Sequence, residues 1–424
     1  MRILFVSNIY PPHVRGGYEL GCQTIAHEMK RLGHEVCVAT SSSPGYLANV
    51  LPDSCVHVEA CFEPVYGYEM PLIASLSHTT EWQHHQQRAF AGVIGGNAVA
   101  LARLIRAFDP EVIWIFNPLG LGPIGIFEAA LTWPARCVVH LMDDIDGVIK
   151  EYSSTILSHA RFSRLKRRFT AISCSFKTMA ANELHAPYRH HRVIYNGVDF
   201  AALAALSAAP EPAMSDCPKL VYFGQVEEAK GLLQLVEGAR FARSQGLRFE
   251  IDVFGRGSRE SSDRLQRAIT DAGLTQTIRA RGFLPRSELF GRLPSYDAAV
   301  LLLSSLEPFG YCVIEAVACG LPVIVTADPG SVECFPHEYP LLVKDRDSPS
   351  EIAERIAWVC ANRPSARMLA SETLAHLTHI CDFNTVTIPS YLRTLAACPP
   401  NDDCSSLESS LAAWHTAELY SFTH

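Results

Sequence analysis

Four groups of residues have the types and spacing to do chemistry. The first is the run Glu307-Pro308-Phe309-Gly310-Tyr311-Cys312-Val313-Ile314-Glu315. A carboxylate in an apolar setting is costly unless paired, and one that accepts two hydrogen bonds from a sugar diol is satisfied by its ligand. Backbone N–H groups of Phe309, Gly310 and Tyr311, at a loop-to-helix step, suit a phosphate or sugar. The bland alternatives are a helix-dipole charge for Glu307 and a salt bridge for Glu315. The second group is Phe223-Gly224-Gln225 with Lys230-Gly231. An ammonium just before a helix can pair with a diphosphate, aided by the helix's positive end; a lone Lys there is more commonly a solvated first-turn residue. The third is Gly16-Gly17, which is no G-x-G-x-x-G fingerprint and reads equally as a phosphate-approach turn or a plain tight turn. The fourth is Arg161-Phe162-Ser163-Arg164-Leu165-Lys166-Arg167-Arg168-Phe169, either a hold on anionic lipid headgroups or a solvated helix face, with Arg189 and Arg192 extending it.

These groups need a frame. Ile3–Val6 reads as a buried strand, about Tyr18–Leu32 as a helix stopped by Gly33, and Val36–Ala39 as the next strand. That βαβ unit implies a parallel sheet covered by helices. Val112–Phe116, Cys137–Leu141, Thr170–Cys174 and Val193–Tyr195 read as further strands, with helix about Gln87–Phe108. Residues 41–86 break the alternation and read as an insertion or long loop. Residues 201–218, rich in Ala, Pro, Ser and Glu, read as a linker. The βα pattern then restarts with strands at Leu220–Phe223, Phe249–Phe254, Thr277–Ala280, Ala298–Leu303, Val323–Thr326 and Leu341–Val343. Helices are expected at Gly231–Ala242, Ser258–Ala272 and Tyr311–Cys319. The expectation is an α/β chain of two doubly wound, Rossmann-like domains, residues 1–200 and 219–375, with a ligand cleft between them. Residues 376–398 continue helically, and 399–424 read as a loosely ordered tail.

Composition removes other classes. The 424 residues are 48% hydrophobic and 19% charged, enough for a large core without disulfides or metals. The net charge is −8, which argues against a nucleic-acid partner. Residues 1–199 hold 17 basic and 17 acidic side chains, so the negative excess lies in the remainder. No signal-peptide core and no spanning apolar run is evident, so the expected location is cytoplasmic, either free or peripheral at the inner membrane face. None of the 14 Cys sit in a Cys-x-x-Cys pair, and the 17 His lack partners at ligand spacing, so free thiols and no metal site are expected.

Read together and in order, several segments resemble the retaining glycosyltransferases of family four. These are Tyr10-Pro11-Pro12 with Gly16-Gly17 and Glu19, Gly33-His34-Glu35-Val36, and Tyr195-Asn196-Gly197-Val198-Asp199. Gly224-Gln225, Lys230-Gly231, Phe254-Gly255 with Gly257, and Arg281-Gly282-Phe283 follow. The set ends with Glu307-Pro308-Phe309-Gly310 to Glu315-Ala316 and Gly320-Leu321-Pro322-Val323. The resemblance implies a GT-B fold and transfer of a sugar from a nucleotide-sugar donor to a glycan or lipid-linked acceptor, with retention. It implies that Glu315 holds the ribose, that Lys230 and the Gly17 backbone bind the diphosphate, and that Glu307 contacts the transferred sugar. It implies that Phe309, Gly310 and Tyr311 present amides to the donor, that no metal or other cofactor is needed, and that the last helix crosses back to the first domain. Gln225 stands where the family often has Arg. At Val138-Val139-His140-Leu141-Met142-Asp143, Met142 takes the place of a family histidine, and His140 is the candidate substitute. Asp328-Pro329-Gly330-Ser331 replaces a glycine pair. The rival readings are a nucleotide-sugar isomerase of the 2-epimerase type and a non-catalytic nucleotide-sugar-binding protein on the same fold.

Overall fold

The computed structural model describes residues 1–14, 16–41, 53, 55–62, 96–119, 121–145, 156–183, 186–207 and 217–404. The chain forms two units, Met1–Ile194 together with the residues from Ser390 on, and Tyr195–Pro389. Each is built on one parallel sheet, as the βα alternation predicts.

The first unit carries β1 (Arg2–Ser7), β2 (Glu35–Ser41), β3 (His57–Phe62), β4 (Val112–Asn117), β5 (Arg136–Leu141), β6 (Thr170–Ser173) and β7 (His190–Val193). Their order is β3-β2-β1-β4-β5-β6-β7, all parallel. The central strands are buried on both faces, which is why they read as continuous apolar runs. On one face Leu4, Val6, Ile113, Ile115, Val139 and Leu141 join a core with residues from the helix over 96–108 and from Pro123–Ala130 and Ile156–Lys166. On the other, Phe5 stacks on Trp114 at 5.2 Å and Phe116 on His140 at 4.2 Å. Tyr391, from the helix Ile388–Ala397, closes this aromatic layer edge-on to Trp114 at 5.3 Å.

The second unit carries β8 (Lys219–Phe223), β9 (Glu250–Phe254), β10 (Ile278–Gly282), β11 (Ala298–Leu301), β12 (Val323–Thr326) and β13 (Leu342–Val343), in the order β10-β9-β8-β11-β12-β13. Both sheets reverse their chain order once, between β1 and β4 and between β8 and β11. Ligands of open α/β sheets gather at the carboxyl ends of the strands beside such a switch point.

Several expectations are corrected. Residues 41–86 contain a strand, β3, pairing with β2; it is an edge strand with a half-exposed, polar-interrupted sequence, so its apolar signal is weak. The rest of the 41–86 stretch lies outside the described residues, apart from Ser41, Asp53, Cys55 and Val56. Residues 201–206 are not linker but most of a helix, Phe200–Leu206, capped by Asp199 and burying Phe200 and Leu203; 208–216 lie outside the described residues. The helix Arg363–Cys381 stays in the second unit, and the return to the first begins later than expected, at Ser390. The beginning of the tail is fixed rather than loose. Asn401 is buried, and its amide donates to the carbonyls of Leu131 at 2.7 Å and Trp133 at 3.1 Å.

The basic stretch is also different from a uniform cationic face. Arg161 is paired with Glu128, buried Lys166 donates to the Asn182 carbonyl, and Arg168 donates to Asn401 Oδ1 at 2.6 Å. Arg164 and Arg167 are exposed, as are Arg189 and Arg192. None of the 14 cysteines is in a disulfide. No helix among the described residues is long and apolar enough to cross a membrane.

Tyr391 fills its layer from a helix far along the chain, so Tyr391→Ala is expected to destabilise the protein by about 3–5 kcal/mol. Tyr391→Phe, which keeps the ring, is expected to cost about 1 kcal/mol or less. Chemical denaturation measures both; equal effects would show that the ring is not what closes the layer.

Candidate active site

The loops after β8 and β11 leave neighbouring strands at the switch point and meet. After Phe223 the chain makes a single 3₁₀ turn, Glu228–Lys230, and enters the helix Leu232–Ser244 through Gly231. Gly231 has φ +78°, and a Cβ there would lie 1.8 Å from the Leu302 carbonyl oxygen. Only glycine lets this turn lie against the end of β11. The second loop turns at Ser304–Glu307, where the Glu307 N–H donates to the Ser304 carbonyl at 3.0 Å. Gly310, at φ +84°, then starts the helix Tyr311–Ala318. The result is a contact between Lys230 Nζ and Glu307 Oε2 at 2.5 Å. Opposite charges at that distance make a charge-assisted hydrogen bond.

The same helix carries Glu315, whose carboxylate is nearly buried and takes a hydrogen bond from Arg286 Nη2 at 2.6 Å. Arg286 also lies over the Phe290 ring at 4.4 Å. The salt-bridge alternative for Glu315 is thus realised, with a partner that had no motif to mark it. Phe309 is buried, and its carbonyl accepts from Ser331 N at 2.9 Å, which fixes the loop before the helix. The N-terminus of Tyr311–Ala318, with its positive dipole end, therefore opens beside Glu307. Gln225 is held by its carbonyl, which accepts from Tyr222 Oη at 2.6 Å. Burial, followed by the charges of Glu307 and Glu315, pushes the Cys312 thiol up, so it stays protonated and is no thiolate nucleophile.

Two candidates lie in the first unit. Gly17 is the first residue of the helix Gly17–Arg31, after β1 at that sheet's switch point. Glu19 reaches back to accept from Gly16 N at 2.9 Å, and the Tyr18 hydroxyl accepts from Met142 N at 2.6 Å. The helix start is thereby tied to the loop after β5. His140 is the other. It lies on the face of β5 opposite Val139 and Leu141, with no exposed surface, between the rings of Phe116 and Tyr391. Side chains alternate along a strand, and this register turns His140 into the aromatic layer. Its packing is that of a core residue.

Two other clusters were invisible in the sequence. Ser173 Oγ lies 2.7 Å from His191 Nε2, and His191 Nδ1 lies 2.8 Å from Glu183 Oε1. This is the hydrogen-bond order of a hydrolase triad, but Ser173 has no exposed surface, so it binds β6 to β7 rather than meeting a substrate. His27, Asp53 and Cys55 bring N, O and S atoms within 4.8 Å of one another. His27 Nε2 and Asp53 Oδ2 are 2.7 Å apart. Two ligands of a tetrahedral zinc at about 2.0 Å would stand about 3.3 Å apart. The spacing is that of a hydrogen-bonded pair.

Comparison with known proteins identifies the family. Residues 208–375 match the family described as Glycosyl transferases group 1, and residues 15–202 match Glycosyltransferase Family 4. The chain belongs to the group 1, family 4 glycosyltransferases. It is 26% identical over 420 residues to a glycogen synthase of Mycobacterium tuberculosis, covering 94% of this chain and 95% of that one. It is 28% identical over 212 residues to a lipopolysaccharide core biosynthesis glycosyltransferase of Rhizobium meliloti, covering 50% and 59%. The fold of this glycosyltransferase is GT-B. The Anabaena protein HepE, solved in complex with UDP, superposes with a TM-score of 0.69 at 20% identity over 94% of this chain and all of that one.

Burial lowers the pKa of His191 in the glycosyltransferase, against the opposing pull of Glu183 and with help from Lys166. Tyr188 packs edge-on to the ring. The unfolded chain then binds a proton that native His191 refuses, so this residue's contribution is intact above about pH 6.5 and declines as the pH falls below it. His191→Gln is expected to flatten the stability curve between about pH 6.5 and 5. An unchanged slope would mean that His191 keeps its ordinary titration in the fold.

Proposed function

We propose that the protein is a retaining glycosyltransferase that moves a sugar from a nucleoside-diphosphate sugar to a glycan or lipid-linked acceptor. The observation that carries this is the Lys230–Glu307 contact at the β8/β11 switch point, beside a helix N-terminus. Lys230 and that helix end answer the charge of the diphosphate, with the Gly17 backbone as a second anion contact, so no divalent metal or other cofactor is called for. Glu315 takes the ribose hydroxyls, Glu307 lies against the transferred sugar, and the Phe309–Tyr311 amides meet the sugar or phosphate. Gln225 offers hydrogen bonds but no charge, which leaves Lys230 as the principal cation.

In the step, the bond from the anomeric carbon to the diphosphate oxygen breaks, and a bond to the acceptor oxygen forms on the same face. The acceptor's proton passes to the departing phosphate oxygen. Binding of UDP by the Anabaena neighbour and the lipopolysaccharide assignment of the Rhizobium relative support a uridine donor and a surface-glycan or glycolipid product. Action at the cytoplasmic side, where such donors are made, fits this role.

Incubation with UDP-, GDP- and dTDP-sugars and a panel of glycan and glycolipid acceptors tests the reading. The expected outcome is release of nucleoside diphosphate only with acceptor present, and a product with the donor's anomeric configuration by NMR. A new epimer without released nucleotide would indicate an isomerase, and tight binding without turnover a binding protein. Lys230→Ala and Glu307→Ala are each expected to cut turnover by about 10²-fold or more with folding intact. Unchanged rates would refute the site.

A further inference from the structure

The turn that carries Lys230 is fixed at its ends by backbone contacts. Val226 N donates to the Arg256 carbonyl at 3.0 Å, and Lys230 N donates to the Glu227 carbonyl at 3.0 Å. Between these points Glu227 makes a bond of another kind. One carboxylate oxygen accepts from Ser258 N at 2.9 Å, and the other accepts from Ser261 Oγ at 2.6 Å. Ser258 is the N-cap of the helix Arg259–Asp271, and its own hydroxyl accepts from Ser261 N at 3.1 Å. A carboxylate from one loop thus sits on the positive end of a helix that follows the neighbouring strand, β9.

We propose that Glu227 is a positioning residue that sets Lys230 for the donor diphosphate by clamping the β8 turn to the N-terminus of the Arg259–Asp271 helix. This rests on the reading of Lys230 as the diphosphate cation. Other contacts on the turn are weaker. Glu228 pairs with Arg264 at 2.5 Å, but both side chains are largely exposed, where ion pairs contribute little. Arg346 reaches the carbonyls of Glu228 and Ala229 only at 3.4 Å. Glu227 instead makes two charge-assisted bonds to a helix end, and those bonds hold its carboxyl below the usual carboxylate range. The clamp therefore persists through the neutral and mildly acidic range in which such an enzyme works. Its placement also answers an electrostatic difficulty. A second anion next to a phosphate site would repel the ligand, and the helix end takes up that charge.

The test is a double-mutant cycle read by calorimetric binding of UDP to the full chain. Glu227→Ala and Lys230→Ala are each expected to weaken UDP by about tenfold or more. The double variant is expected to bind no more weakly than Lys230→Ala alone, because Glu227 acts through Lys230. Ser261→Ala, which removes one bond from the helix side and leaves Glu227 in place, is expected to weaken UDP by about threefold. It covers the case in which Glu227→Ala does not fold. In turnover, Glu227→Ala is expected to raise the donor KM more than it lowers kcat.

A loss in thermal stability with UDP affinity unchanged, or fully additive losses in the cycle, would overturn the proposal and make Glu227 a helix cap only. Unchanged affinity in Lys230→Ala, or no UDP binding by the wild type, would instead overturn the reading of Lys230 and the clamp with it.

Discussion

A lysine ammonium and a glutamate carboxylate 2.5 Å apart, on loops leaving β8 and β11, set the terms for the second unit. Partly buried charges must be paired, and here each answers the other. In the proposed reaction, a diphosphate brought to Lys230 would compete with Glu307 for the same ammonium. The carboxylate released in that exchange would then face the sugar. The glycine at 231 is needed because the turn passes within contact of the Leu302 carbonyl, and Gly310 because the following helix must start at once. Glu315 and Arg286 repeat the arrangement one helical turn further on. Both acidic groups expected to meet the donor are therefore held by a cation before the donor arrives.

The first unit is organised by packing rather than charge. Its central strands put one apolar set against three helices and turn an aromatic set toward Tyr391. His140 belongs to that second set. The hydrogen bond from Met142 N to Tyr18 Oη ties the start of the Gly17–Arg31 helix to the end of β5. The Gly16-Gly17 turn thus has a fixed scaffold at the β1/β4 switch point, which is what a backbone anion contact requires.

The strands were legible because parallel strands covered on both faces read as unbroken apolar runs, as at Ile3–Val6 and Val323–Thr326. β3 was not, because an edge strand carrying His57 and Glu59 has no such run. Residues 201–206 read as linker because alanine enrichment looks the same in a helix as in a spacer; the buried Phe200 and Leu203 distinguish them only in three dimensions. For the candidate site, the motif residues of the second unit fall on two loops that meet, but their pairing spans 77 residues and leaves no local trace. The packing of His140 left no local trace either, because Tyr391, which it meets edge-on, lies far along the chain. Glu227 and Arg286 carried no signal, since their meaning comes only from the helices they touch.

The most direct measurement is a crystal structure of the protein with UDP bound. The account predicts a β-phosphate oxygen about 2.7–2.9 Å from Lys230 Nζ, the Glu307 carboxylate withdrawn from that ammonium, and the ribose hydroxyls on Glu315. A nucleotide bound elsewhere, with Lys230 and Glu307 still in contact, would contradict it.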